Sequence, residues 1–203
     1  MIYRVNRIES ETENWKETAP AAVDCFPWGE QAKDDYRPAT FARLAADGTA
    51  IFVYMETDEN EQRAETKGFG QTHTDSCMEF FLSPDPARSA EYLNWEFNPA
   101  GGMYLSVGTS RHNRVDIPEE NYREVFRVKT AANEKGWSLE YRIPLPFLQR
   151  FFPLAELNPG CVMRGNFYKC ADLSSRPHFG CWSPIRLPNP DFHCPDFFGK
   201  IIF

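Results

Sequence analysis

The segment Glu91-Tyr92-Leu93-Asn94-Trp95-Glu96-Phe97-Asn98 decides the fold, because its apolar and polar residues alternate without interruption. Successive side chains of a β-strand point to opposite faces of a sheet, so a period of two predicts a strand with one buried face. The apolar face carries Leu93, Trp95 and Phe97, and the other carries Tyr92, Asn94 and Glu96. We therefore expect a sheet whose second face presents a ring, an amide and a carboxylate in one row.

Similar segments recur along the chain. Runs of β-branched and aromatic residues bounded by turn residues predict further strands at 50–55, 78–82, 125–131, 137–143, 162–168 and 200–203. One short helix is expected within 144–152, where Pro153 ends it, and long loops are expected at 57–74 and 184–198. Many short strands with almost no helix predict an all-β fold, which we interpret as an antiparallel, jelly-roll-like β-sandwich forming one domain over 1–203. An immunoglobulin-like arrangement stays open, because periodicity does not define strand order.

Charge and composition narrow the classes of partner. A net charge of −7 repels phosphate backbones and anionic lipid surfaces, so neither nucleic acid nor a membrane is an expected partner. No apolar run approaches the ~20 residues of a membrane span. Residues 1–9 lack the apolar core of a signal peptide, which predicts a cytoplasmic protein, or a secreted one if the sequence was trimmed. The oligomeric state stays open.

The cysteines are even in number, but the chain is neither small nor cysteine-dense. In the absence of a signal peptide, free buried thiols are the expectation for all of them. The six are Cys25, Cys77, Cys161, Cys170, Cys181 and Cys194.

Several residues suit the binding of a sugar. Sugars present apolar C–H faces and a girdle of hydroxyls, so proteins contact them with aromatic rings, amides and carboxylates. The row of Tyr92, Asn94 and Glu96 offers these groups, although a solvated strand face is the simpler interpretation. Glu79 has apolar neighbours and so needs a partner, either a ligand hydroxyl or an arginine within the fold. Trp182 lies in a proline- and glycine-rich segment and is expected to project from a loop, with a core position as the alternative.

The order of several short motifs over nearly the whole chain resembles the family 9 carbohydrate-binding modules, in particular the stand-alone family-9-like proteins of bacteria. The matching motifs are Phe26-Pro27-Trp28, Tyr36-Arg37-Pro38, Asp75 to Phe81, Tyr92-Leu93-Asn94, Trp137-Ser138-Leu139-Glu140 with Ile143-Pro144, Asn166-Phe167-Tyr168-Lys169-Cys170, Trp182-Ser183-Pro184 and the terminal Phe197-Phe198-Gly199.

This resemblance implies a jelly-roll-like sandwich that binds the end of an oligosaccharide or polysaccharide, such as xylan, without catalysis and in connection with carbohydrate catabolism. In the modules attached to xylanases, two tryptophans clamp the terminal sugar. Trp182 matches the second of these, and Glu79 matches the acidic residue after the Asp-Ser pair. Thr72-His73-Thr74 stands near the place of the first, so His73 is expected to stack there. Replacing Trp182 by alanine should then abolish sugar binding and leave the fold intact.

The same family also contains structural calcium. The resemblance therefore allows calcium here, although no motif of calcium ligands can be traced in the sequence.

A glycoside hydrolase is the main alternative function. Such enzymes use two carboxylates roughly 5–9 Å apart, and Glu79 and Glu96 could meet across neighbouring strands. Such pairs are common in sheets, so an enzyme is the weaker interpretation. The segment Arg111-His112-Asn113-Arg114 could bind an acidic sugar, although a solvated loop is expected.

Metal and haem sites are weaker alternatives. His178, Cys181, His193 and Cys194 lie close in sequence and offer soft ligands, but their spacing matches no zinc motif. We expect them to be buried structural residues. Sandwiches of related shape bind haem through Met and His, but neither Met103 nor His112 lies in a distinctive context.

Overall fold

The structure is a computed structural model that describes residues 1–10, 14–29, 35–132 and 135–203. Two β-sheets face each other across one large apolar core. The strands are β1 (Ile2–Arg4), β2 (Asn6–Arg7), β3 (Ala21–Ala22), β4 (Thr40–Ala46), β5 (Ala50–Thr57), β6 (Cys77–Ser83), β7 (Tyr92–Phe97), β8 (Met103–Ser110), β9 (Asn113–Asp116), β10 (Lys129–Ala132), β11 (Trp137–Pro144), β12 (Val162–Cys170), β13 (Phe179–Cys181) and β14 (Gly199–Ile202). The α-helices are α1 (Tyr122–Val125) and α2 (Leu145–Gln149).

The strand order confirms the sandwich and corrects one detail of it. One sheet runs β1-β14-β12-β6-β7-β8-β9, with β13 paired to β12, and the other runs β10-β11-β5-β4-β2, with β3 paired to β4. The strand pairs are antiparallel as expected except at two edges, where β1 pairs with β14 and β2 pairs with β4 in parallel. The N-terminal segment runs first along the edge of one sheet and then along the edge of the other. It therefore ties the two sheets together.

The core lies between the sheets. Leu93, Trp95 and Phe97 of β7 all point into it, as the alternation predicted, and they are fully buried. Trp137 and Tyr141 of β11 enter the same core from the opposite sheet. A buried aromatic side chain removes roughly 150–250 Å² from water, which at about 25 cal/mol per Å² stabilises the sandwich by several kcal/mol per ring.

The other face of β7 is also covered. Tyr92, Asn94 and Glu96 are each no more than 2% exposed, so the interpretation as a solvated strand face is wrong. The loop 184–198 folds over this face and brings Phe192 and Phe198 into a second apolar cluster with Tyr92. The side chains predicted to point outward therefore lie at the bottom of a covered surface.

Most element boundaries agree with the sequence-based expectations, with one clear miss. The predicted strand at 125–131 begins only at Lys129, because Val125 ends α1 and Arg127 adopts a positive φ of 48° that interrupts an extended strand. The predicted helix within 144–152 is present as α2. None of the described helices has the length and apolar character required to cross a membrane.

Candidate functional site

A cleft of about 210 Å³ opens on the outer face of the larger sheet. Strands β6, β7, β9 and β12 supply its floor and one wall, and β13 and loops supply the rest. Its lining is mainly polar and contains charges of both signs. The lining residues are His73, Glu79, Glu96, Arg111, Arg114, Cys170, Asp172, Phe179, Pro190, Asp191, Phe192 and His193.

Two carboxyl groups form the floor of this cleft. Glu79 of β6 and Glu96 of β7 are directly opposite in register, and each is only 2% exposed. Burial, followed by the charge of Glu79, raises the pKa of Glu96 well above its usual value. Burial likewise raises the pKa of Glu79, to about 7. The floor is therefore an acidic pair that resists full ionisation at neutral pH.

Polar neighbours hold the two carboxyl groups in place. Asn94 donates to Oε1 of Glu96 (2.8 Å) and accepts a hydrogen bond from Ser106 (2.5 Å). The thiol of Cys170 donates to Oε1 of Glu79 (3.0 Å). Oε2 of Glu96 is buried and has no hydrogen-bond partner among the described residues. This oxygen is free to accept a hydrogen bond from a ligand in the cleft.

One wall is cationic. The guanidinium of Arg114 on β9 lies 5.3 Å from the centre of the Tyr104 ring and contacts both ring nitrogens of His193. Burial and the charge of Arg114 lower the pKa of His193 to about 2, so its imidazole is neutral. Arg111 hydrogen-bonds Asp191 at 3.1 Å. The wall therefore presents N–H donors beside the acidic floor.

Rings lie at the rim of the cleft. Phe179 of β13 is half-buried and packs edge-on against Phe192, with 6.5 Å between ring centres. The side chain of His73 is 39% exposed, and its Nδ1 lies 3.9 Å from Oε2 of Glu96. Burial lowers the pKa of His73, which favours the neutral imidazole. The rim thus combines an apolar ring with a polar one above the carboxyl pair.

The structure brings together most of the predicted site. His73, Glu79 and Glu96 line the cleft directly. Asn94 supports Glu96 from behind, and the hydroxyl of Tyr92 hydrogen-bonds Nδ1 of His193 at 2.8 Å. Asn94 and Tyr92 are only 1% exposed, so they position other residues of the cleft.

The prediction for Trp182 was wrong, because its side chain does not project from a loop. It is 4% exposed and packs in the core between Tyr3 and Phe167, with ring-centre distances of 6.3 and 5.7 Å. A Cβ added at Gly199 would lie 2.5 Å from its ring, so the ring fills its space tightly. The ring is buried because the side chain at this position points to the core side of the sheet. The role of sugar-stacking platform is therefore withdrawn from Trp182.

Sequence reasoning missed several lining residues. Arg111 and Arg114 were interpreted as a solvated loop, whereas Arg114 lies on β9 and faces the cleft. Asp172 and Phe179 went unnoticed, and His193 was considered only as a metal ligand. Two sequence features could have indicated these lining residues: the two arginines at 111–114, and the aromatic and histidine residues at 178–193.

The alternative sites do not assemble. His178 lies beside Glu59 and Lys169, and burial followed by the charge of Lys169 lowers its pKa to about 3. The backbone of Cys181 instead forms an isolated antiparallel β-bridge with the backbone of Cys25, and both thiols are free. Met103 is buried in the core, and His112 is exposed at the surface, so they cannot share a haem.

The residues described do not fit calcium. Ca²⁺ requires six to eight oxygen ligands. The buried carboxylates of the loop before β6 are matched by cations of the chain: Glu59 with Lys169 at 3.0 Å, and Asp75 with Arg63 at 3.3 Å. The group of described residues with metal-ligating geometry contains two thiols, which calcium does not favour.

A β-sandwich that carries a small polar cleft with aromatic rings at its rim has the architecture of a carbohydrate-binding protein. The chain belongs to carbohydrate-binding family 9, whose family model matches residues 11–203. The family resemblance inferred from the sequence is confirmed, and the function is noncatalytic carbohydrate binding. A comparison with curated proteins found no match.

Solved structures agree with this assignment. A Bacteroides uniformis protein described as a candidate carbohydrate-binding protein is 29% identical, has a TM-score of 0.83, and is matched over 100% of this chain and 98% of that chain. A family 9 module of Caldicellulosiruptor kristjanssonii in complex with glucose is 14% identical, with a TM-score of 0.68 over 100% and 95% of the two chains. A family 9 module of the same organism in complex with cellotriose is 15% identical, with a TM-score of 0.67 over 100% and 93% of the two chains. These last two share the fold.

Proposed function

We propose that the cleft over Glu79 and Glu96 binds the terminal ring of a neutral oligosaccharide derived from a plant polysaccharide. The observation that carries this proposal is the convergence of planar polar side chains on a cavity with an accessible ring, Phe179, at its rim. Arginine, carboxyl and imidazole groups suit pairs of sugar hydroxyls, because each offers two polar atoms in one plane.

The size and charge of the cleft support one neutral ring. Its volume of about 210 Å³ is below the roughly 300 Å³ at which pockets for drug-sized ligands begin. Two arginines face the carboxyl groups of Glu79, Glu96 and Asp172, so the lining does not select one sign of ligand charge. Hydroxyls, which both donate and accept hydrogen bonds, match such a mixed lining.

Gluco- and xylo-oligosaccharides are the ligands to test first. The support for glucose-based ligands is that structures with the same fold contain glucose and cellotriose. Xylo-oligosaccharides are included because of the resemblance to modules attached to xylanases. Binding of such fragments would connect the protein with the breakdown of plant polysaccharides.

The experiment is a calorimetric titration with glucose, cellotriose, xylotriose and mannotriose, followed by chromatography of the mixtures. We expect saturable binding of at least one sugar with no new products. Phe179→Ala should weaken that binding, whereas Phe41→Ala should not, since Phe41 is a half-buried ring on the opposite sheet. Equal affinities for wild type and Phe179→Ala would place the sugar elsewhere. New products that disappear in Glu79→Gln would make the carboxyl pair catalytic and overturn the proposal.

A further inference from the structure

Two thiols and a carboxyl group meet beneath the cleft. Cys77 of β6 and Cys170 of β12 are directly opposite in register, and Glu79 lies two residues beyond Cys77 on the same face. One ligand atom from each, the two Sγ atoms and a carboxylate oxygen, lie within 4.8 Å of one another. All three residues are at most 2% exposed; Glu79 and Cys170 line the cleft, and Cys77 lies beneath it. An ion in the cleft therefore meets Glu79 and Cys170 first, and coordination by Cys77 requires small side-chain shifts.

The packing around these groups supplies no salt-bridge partner for Glu79 among the described residues, and Nζ of Lys169 donates instead to the carbonyl oxygen of Cys170 at 2.9 Å. Neither Arg111 nor Arg114 forms a salt bridge with Glu79 among the described residues, so they act on it only over a distance. Glu96 stands opposite Glu79, and its buried Oε2, on the floor of the same cleft, accepts no hydrogen bond from any described residue. Two carboxyl groups and two thiols therefore lie together with no salt bridge from a described cation to Glu79, and a bound metal ion would supply the positive charge that their ionised forms require.

We propose that Cys77, Cys170 and Glu79 bind a divalent cation with affinity for sulfur, with Zn²⁺ as the best match. Tetrahedral zinc with Zn–S near 2.3 Å and Zn–O near 2.0 Å separates its ligand atoms by roughly 3.5–3.8 Å. The observed spacing accommodates this geometry with small side-chain shifts. Two sulfur ligands disfavour calcium and magnesium, and the carboxylate disfavours Cu(I). Three protein ligands leave the fourth position facing the cleft, where water completes the tetrahedron.

Binding exchanges protons for the metal. The two thiols give up their protons to the buffer, each sulfur forms a bond to zinc, and the hydrogen bond from Cys170 to Glu79 is replaced by bonds from both residues to the ion. No electron is transferred, so no oxidant is required. The proposed ion shares Glu79 and Cys170 with the floor of the cleft, whereas Phe179 and His73 at the rim are not ligands.

The test is a titration of the reduced, chelator-treated protein with Co²⁺, whose thiolate complexes absorb in the near ultraviolet through charge transfer. We expect one Co²⁺ per chain with this absorption, displaced by one equivalent of Zn²⁺. Cys77→Ser and Cys170→Ser should lose the absorption. Glu79→Gln should keep the absorption and bind at least about 10-fold more weakly. Circular dichroism of each metal-free variant establishes whether it is folded. If a serine variant does not fold, Glu79→Gln, which keeps both thiols, provides the test.

Matched controls use the half-buried Cys161 and Cys194, which lie outside the three-ligand group. Cys161→Ser and Cys194→Ser should bind Co²⁺ like the wild type. The proposal is overturned if the wild type shows no charge-transfer absorption, if the absorption survives in Cys170→Ser, or if it disappears in Cys194→Ser. Phe179→Ala should weaken sugar binding and leave Co²⁺ binding unchanged, so failure of this inference and failure of the proposed function are distinguishable.

Discussion

Phe179 and Trp182 are three residues apart but lie on opposite faces of one sheet. Phe179 pairs in register with Cys170 and faces the cleft, whereas Trp182 enters the core beside Phe167. We expect Phe179→Ala to weaken sugar binding by about 2 kcal/mol, roughly 30-fold, because an accessible ring that packs on a ligand is lost. Calorimetry measures the change, and urea unfolding should show nearly unchanged stability.

Trp182→Ala should have the converse effect. Removal of a buried tryptophan leaves a cavity, so we expect the free energy of unfolding to fall by about 3–5 kcal/mol. The protein that remains folded should bind sugar with wild-type affinity, because Trp182 does not line the cleft. If Trp182→Ala lost affinity for sugar without a loss of stability, Trp182 would be a sugar-binding residue after all.

At the scale of elements, a buried ion pair anchors the long loop 58–76 to β12. Nζ of Lys169 lies 3.0 Å from Oε2 of Glu59, and both side chains are no more than 1% exposed. Glu59 also accepts hydrogen bonds from Ser76 and Trp137. Lys169→Met should destabilise the protein by about 3–5 kcal/mol, since it leaves a buried carboxylate without its cation. Urea unfolding is the measurement.

The matched control for this pair is Lys169→Met combined with Glu59→Gln. The double variant should recover part of the lost stability, because neither charge is then buried alone. Strict additivity of the two single substitutions would show that the residues are not coupled. Because His73 belongs to the anchored loop, Lys169→Met should also weaken sugar binding.

At the scale of the whole molecule, His178 couples global stability to pH. Its pKa is lowered to about 3 by burial and then by the charge of Lys169, against 6.5 ordinarily. Glu59, Tyr36 and Arg176 also face it. A lowered pKa stabilises the fold above pH 6.5, and this contribution is lost as pH falls toward 3. The loss is roughly 1.4 kcal/mol per pH unit within that window.

The measurement is urea unfolding of wild type and His178→Gln at several pH values between 5 and 7.5. Other titrating groups act equally in both proteins, so the difference in stability isolates His178. We expect the advantage of the wild type over the variant to shrink as the pH falls below 6.5. A difference that stays constant over this range would show that His178 is not kept neutral by the fold.

The strands were largely predictable because their signal is local. Alternation in 92–97 reports which side chains face a core, and it needs no knowledge of the partner strand. The same pattern failed at 125–131, where α1 and the positive φ of Arg127 interrupt an otherwise apolar run. Strand pairing was not predictable, and the two parallel edge pairs formed by β1 and β2 were missed.

The sequence by itself determined an all-β sandwich of family 9 and the row Tyr92, Asn94 and Glu96 on the second face of β7. Only the tertiary structure decided that this face is covered, that Trp182 lies in the core, and that Phe179, Arg114 and His193 complete the cleft. The physical reason is distance along the chain. Tyr92 and His193 are 101 residues apart, and local alternation carries no information about which distant loop packs over a given face.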